Sequence, residues 1–270
     1  MNQLIFILFI VLLVGITKLK LSLKMCRYMF FSIYHLYIKT TNIKNDKLLK
    51  RKLKEGCKKV LNSANIYPIV KGKIIEQPQI IISNHHSYVD PLVLKYINQN
   101  FMTIAKHDSK KEFIFSKMLE EFMIRWSTIL YKRGNKKSGS IVRKLIKYYI
   151  LYKKKSILLF PEGKTYPDGP PQHFFPGSFK VAFENKIPVQ PIVIKYSQDI
   201  SWTDLCEKPK PWQLNLYKNA ERLFNSKTIA YVDILEPIYP TQFNNVQDFM
   251  KYIRIKMIKS WTNLFYKVNK

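Results

Sequence analysis

Short runs of apolar, β-branched residues alternate along the chain with longer segments whose apolar residues recur every three or four positions. Pro78 to Ile82 runs into the polar cluster Ser83-Asn84-His85-His86-Ser87, which reads as a strand opening into a loop. Asp90-Pro91 then predicts an N-cap with proline at the first helical position, and Leu92, Leu94 and Ile97 begin that helix's buried face. Ser127 to Tyr131 predicts a strand, followed by the turn-forming Arg133-Gly134-Asn135. Ile141, Leu145 and Tyr149 mark a basic helix, and Ser156 to Phe160 a compact buried strand. Ile187 to Ile194 reads as a strand interrupted by Pro188 and Pro191, and Ala230 to Leu235 as another. Val246, Met250, Ile253, Met257 and Trp261 close the pattern as an amphipathic helix. Strand and helix alternate throughout. The expectation is one α/β domain over residues 46–270, with a central mixed sheet flanked by helices.

The first 45 residues break this rhythm. Leu4 to Ile16 is apolar apart from Gly15, with no Lys or Arg before it, and is short against the roughly 20 residues of a full membrane span. Lys18, Lys20, Lys24 and Arg27 come next, and then an aromatic-rich stretch from Tyr28 to Ile38. A cleavable secretory signal wants charge ahead of the apolar run and small residues after it. Neither is present, so residues 1–45 are expected to form an uncleaved membrane anchor or hairpin, with a disordered or cleaved leader as the alternative. The trailing lysines favour a cytosolic side for the α/β domain. In Lys47 to Leu61, Leu49, Leu53, Cys57 and Val60 form one helical face and Lys and Arg the other. Such helices lie on membranes or serve as ordinary surface helices.

Composition narrows the class. The chain has 270 residues, 47% of them hydrophobic and 14% aromatic, enough for a packed core. Its formal net charge of +28 attracts anionic partners, of which nucleic acid and anionic lipid are the usual ones. Cys26, Cys57 and Cys206 are odd in number and widely spaced, which argues against a disulfide framework or zinc knuckle. No metal or resident cofactor is expected.

Two clusters could carry chemistry. In Asn84-His85-His86-Ser87-Tyr88-Val89-Asp90, a histidine at a strand end lies near a carboxylate able to fix its tautomer, as a general base requires. On a continuous helix His86 and Asp90, four apart, would face each other, while His85 would lie about 140° round the axis from Asp90. Helical geometry alone thus selects His86; if the helix begins only at Pro91, that objection lapses. The second cluster is Phe160-Pro161-Glu162-Gly163-Lys164-Thr165, directly after a strand. Gly163-Lys164-Thr165 looks like the end of a phosphate-binding P-loop, but that motif needs glycine where Leu158 stands and a helix where Pro167 and Gly169 stand. With no G-x-S-x-G elbow, a serine hydrolase is equally unsupported.

Four blocks in order resemble the glycerolipid acyltransferases of the lysophosphatidic acid acyltransferase type. Asn84-His85-x-Ser87-x-x-Asp90 is similar to that family's N-H-x-S-x-x-D, and Ile129-Leu130-Tyr131-Lys132-Arg133 to an apolar strand closing on arginine. Phe160-Pro161-Glu162-Gly163 is followed by Lys164-Thr165 where many members have Thr-Arg, and Ile187-Pro188-Val189-Gln190-Pro191-Ile192-Val193 resembles the V-P-x-x-P-V strand. Gly177-Ser178-Phe179-Lys180 and Ala182 fit between them, so the resemblance spans residues 78–240. It implies that His85 is the base, oriented by Asp90, and that Arg133 grips the acceptor's phosphate through two hydrogen bonds. Glu162, Gly163, Lys164 and Thr165 would shape the acceptor site, with Pro188 and Pro191 structural.

The implied reaction is acyl transfer from acyl-CoA, a co-substrate, to the free hydroxyl of a lysophospholipid such as lysophosphatidic acid. Membrane lipids would be the partners and nucleic acid would not. The setting would be a membrane with the domain on the cytosolic side, the endoplasmic reticulum in a eukaryote. Glycerol 3-phosphate as acceptor, CoA-independent transacylation and a non-catalytic lipid-binding role stay open as alternatives. Lys164 offers a point charge where the family's arginine offers a fork, which leaves the headgroup open.

Overall fold

The protein is described by a computed structural model. The described residues are 19–24, 26–28, 32–40, 42–87, 89–107, 126–132, 136–166, 169–198, 200 and 224–268. A seven-stranded sheet forms the centre, with β1 (Ile66–Lys71), β2 (Ile80–Ser83), β3 (Phe101–His107), β4 (Thr128–Lys132), β5 (Ser156–Leu159), β6 (Val189–Tyr196) and β7 (Thr228–Ile234) in the spatial order β1-β7-β6-β2-β5-β3-β4. The five strands from β6 to β4 run parallel, and β7 pairs with β6 antiparallel while β1 follows β7. The sheet is mixed, as the sequence predicts. β1 and β3 had no sequence expectation of their own.

Successive side chains of a strand point to opposite faces, and both faces here are covered. Ile81, Leu158, Ile192, Ile194 and Tyr196 face one core, closed by α1 (Asp46–Ser63) and α2 (Asp90–Ile97). Ile80, Ile82, Ile157, Val189 and Val193 face the other, closed by α3 (Lys136–Leu151), α4 (Gly177–Glu184) and α5 (Val246–Val268). That is why β6 is buried at all eight positions.

The basic helix predicted around Ile141 is α3, but its buried stripe is displaced. Ile146 and Ile150 enter the core, whereas Ile141 is 52% exposed. Tyr149 of the expected stripe does pack against that core, so the buried face is turned rather than replaced, by contact with β5 and α4. The helix after the His cluster also differs in detail. Val89 occupies the N-cap position without a side-chain bond and Asp90 is the first helical residue, with Pro91 next, so Asp90 is freed from capping.

The Leu4–Ile16 run lies outside the described residues. Among the described residues no helix is long and apolar enough to cross a membrane. A π-helical turn over Ile33–Tyr37, continued by a 3-10 turn over Ile38–Thr40, packs on α1. Leu36 is buried there against Gly56, while Leu19, Leu23 and Ile38 stay exposed. α1 turns Leu53, Cys57, Val60 and Leu61 inward, and its lysines outward.

Candidate active site

Two neighbouring parallel strands end in the two clusters singled out from the sequence. β2 leads into Asn84-His85-His86, and β5 into Phe160-Pro161-Glu162-Gly163; the two strands are paired Ile80 to Ile157 and onward. Ligands of α/β sheets bind at such carboxyl ends. The distant segments are thereby brought to one place.

Asn84 fixes where the chain leaves the sheet. Its side-chain amide donates to Ile194 O and its oxygen accepts from Ile194 N–H, both at 2.8 Å. The next residue turns out toward solvent with its side chain 15% exposed, and His85 Nδ1 meets Asp90 Oδ2 at 2.8 Å. His86 and Ser87 lie outside any helix and the helix begins only at Asp90, so the helical objection to His85 does not apply.

Asp90 is fully buried and therefore needs compensation for its charge. It has four hydrogen-bonding partners. Besides His85, Oδ2 accepts from the backbone N–H groups of His86 at 2.7 Å and Ser87 at 2.9 Å. Oδ1 accepts from Tyr196 Oη at 2.6 Å. Burial, with the Asp90 charge adding to it, pushes the Tyr196 phenol well above its ordinary range, so it remains a donor. With Nδ1 engaged by the carboxylate, Nε2 is the nitrogen of His85 left to face a substrate.

His86 is differently placed. Its Nδ1 lies 3.2 Å from Tyr166 O, and its Nε2 accepts from Trp261 Nε1–H at 3.4 Å. Both ring nitrogens are occupied by protein, which suits a structural role.

The second loop wraps the first. Phe160 stacks on the His85 ring with centroids 4.1 Å apart and planes at 19°. Pro161 leads a tight turn closed by Gly163 N–H to Phe160 O at 3.1 Å, with Gly163 at φ 73°, where glycine is at ease. Tyr166 N–H then donates to His85 O at 2.8 Å. Glu162 is 3% exposed and its Oε1 accepts from Gln172 N–H at 3.3 Å. Burial pushes its carboxyl up to about 7, the Asp90 charge adds to this, and the backbone N–H groups of Gln172 and His85 pull the other way.

Of the remaining expected residues, Gly163 and Lys164 are exposed, Thr165 is half-buried, and Lys164 Nζ stands 4.8 Å from the Tyr166 ring centroid. Arg133 lies outside the described residues. The carbonyls of Pro188 and Pro191 accept from Ile80 and Leu235 N–H at 3.0 and 2.9 Å. Among the described residues no His, Cys, Asp and Glu cluster could hold a metal ion. A groove of about 250 Å³ lined by residues including Asn98, Asn100 and Lys154 opens beside Phe101 and Ser156, where β3 and β5 begin, away from this site.

Sequence reasoning did not find Tyr196, Trp261, Lys195, Arg254 or Gln172. Tyr196 and Asp90 are 106 positions apart, and no local pattern links them. A carboxylate-oriented imidazole at a strand end can take a proton from a hydroxyl and return it to a leaving group.

Comparison with known proteins agrees with this arrangement. The family model described as Acyltransferase matches residues 57–195, a little over half of the chain. The structure is similar to that of PlsC, the 1-acyl-sn-glycerophosphate (LPA) acyltransferase from Thermotoga maritima. The TM-score is 0.63 at 17% identity, over 92% of this chain and 97% of that one. At that identity the likeness speaks for the fold. No curated protein sequence matches the chain. From the family match and the ordered motifs, the chain belongs to the glycerolipid acyltransferase family.

Proposed function

We propose that this enzyme transfers a fatty acyl group from acyl-CoA to the free hydroxyl of a lysophospholipid, lysophosphatidic acid or a related lipid, at a membrane. The observation that carries the reading is the His85–Asp90 contact of 2.8 Å, with Asp90 held as an acceptor by three further donors.

In this reading His85 Nε2 accepts the proton of the acceptor hydroxyl as its oxygen attacks the thioester carbonyl. The C–O bond forms and the carbonyl electrons move onto oxygen. The tetrahedral intermediate then collapses with cleavage of the C–S bond, and the imidazolium returns its proton to the departing thiolate. Asp90 keeps the His85 proton on Nδ1 and stabilises the ring while it is charged. Lys164, on the exposed loop, and Arg133 supply positive charge for the acceptor's phosphate, while Glu162, Gly163 and Thr165 shape its seat. The net charge of +28 favours anionic headgroups and the phosphates of CoA, and residues 1–45 would keep the domain at the bilayer, on its cytosolic side.

The test is transfer from labelled oleoyl-CoA to a panel of lysophospholipids and glycerol 3-phosphate by membranes bearing wild type, His85→Ala or His86→Ala. We expect His85→Ala to lose about 10²–10⁴-fold in rate, the usual worth of a general base, and His86→Ala to keep measurable transfer. Undiminished transfer by His85→Ala, or no acceptor used by folded wild type, would sink the reading.

A further inference from the structure

Helix α5 lies wholly beyond residue 195, where the family match ends, yet it reaches both loops of the site. Trp261 donates to His86 Nε2 at 3.4 Å, and Arg254 Nε donates to Gln172 O at 2.7 Å. Gln172 in turn donates its N–H to Glu162 Oε1. The helix is itself tied to the sheet, since Ser260 Oγ donates to Asp233 Oδ2 at 2.6 Å. Lys195, only 4% exposed, places Nζ 3.6 Å from the centroid of the Trp261 indole. A cation over the ring draws electron density from the indole and strengthens its N–H as a donor.

These bonds fix a tautomer. An indole nitrogen can only donate, so His86 Nε2 must carry the lone pair and the ring proton sits on Nδ1. From there it is directed to Tyr166 O, and Tyr166 N–H is directed to His85 O. One hydrogen-bonded path thus runs from α5 through His86 and Tyr166 to the backbone of His85.

We infer that Trp261 is a positioning residue for His85, acting through His86, and that Arg254 does the same for Glu162 through Gln172. α5 is then a clamp that holds the two loops in register, so that His85 keeps both its Asp90 contact and its stack on Phe160. Trp261 also packs against the core, so the decisive variant must stay aromatic while removing the donor. The catalytic consequence rests on the acyl-transfer reading above; the tautomer does not.

Trp261→Phe retains an aromatic ring beneath Lys195 and deletes the N–H together with the five-membered half of the indole, so the tautomer readout is what isolates the lost donor. The expected result is a roughly tenfold fall in kcat with KM within about twofold, the effect of losing one hydrogen bond. In protein labelled with [15N]histidine, the wild-type His86 ring shows the Nδ1–H tautomer, and Trp261→Phe converts it to an exchanging mixture. Lys259→Ala, exposed on the same helix, changes neither readout. An unaltered kcat, or a His86 tautomer indifferent to the substitution, overturns the inference. Should wild type transfer no acyl group to any acceptor, the proposed reaction fails while the tautomer comparison still decides the clamp.

Discussion

Tyr196, at the end of β6, gives its buried hydroxyl to Asp90 Oδ1 at 2.6 Å, while Oδ2 of the same carboxylate holds His85. The two carboxylate oxygens therefore have separate duties. Tyr196→Phe removes one donor from a buried charge and leaves the aromatic packing. Hydrogen bonds to charged groups contribute about 1.5–3 kcal/mol, so kcat should fall roughly 10- to 100-fold while the variant remains folded. Steady-state transfer kinetics beside circular dichroism check this; a fall in stability with unchanged kcat would refute it.

Glu162 makes stability depend on pH. Its folded carboxyl titrates near 7 against an ordinary 4.5, so the folded protein holds a proton that the unfolded chain releases between those values. This contribution is fully present below about 4.5 and is lost as pH rises through about 7. Glu162→Gln carries no such titration. Urea unfolding at pH 5 and pH 8 should show wild type losing on the order of 2–3 kcal/mol relative to the variant across that step.

Lys95 works with the opposite slope. Its ammonium is buried with one carbonyl partner, Phe101 O at 2.6 Å, and burial pushes it down to about 7 from 10.5. Between those values the unfolded chain binds the proton that the folded chain refuses, so stability rises with pH. Lys95→Met should flatten the profile between pH 7 and 10 in thermal melts. Parallel profiles for variant and wild type would contradict the assignment.

Gly56 is fixed by contact rather than by backbone conformation. A Cβ there would sit 2.8 Å from Leu36 Cδ2 and 2.9 Å from His35 O, a backbone atom that cannot step aside cheaply. Alanine favours a helix over glycine by about 1 kcal/mol, whereas overpacking costs about 1–3 kcal/mol. Gly56→Ala should therefore lower the melting temperature and quicken proteolysis within residues 33–45. A rise in stability would show that the N-terminal turn does not dock on α1.

Strands whose two faces are both buried were easy to see, because β2, β5 and β6 are near-continuous apolar runs. β1 was not, since it lies at the sheet edge with Ile69 and Val70 exposed and Pro68 in its middle, so it shows neither an unbroken run nor clean alternation. In α3 the spacing pointed to Ile141, Leu145 and Tyr149, and only packing against β5 and α4 turns the buried face toward Ile146 and Ile150. His85 and Asp90 were legible through a motif that places them five residues apart. Tyr196, which holds Asp90, and Trp261, which holds the neighbouring His86, come from strand and helix far along the chain, and no local pattern ties them to the site.

The Asn84 side chain completes the ladder between β2 and β6 by presenting an amide where a strand would present its own peptide group. The backbone is thus released to expose His85 while remaining bonded to the sheet. For the reaction proposed above, such an anchor would leave His85 preorganised: the ordering of its loop is incurred at folding, and little reorganisation would be left for each turnover.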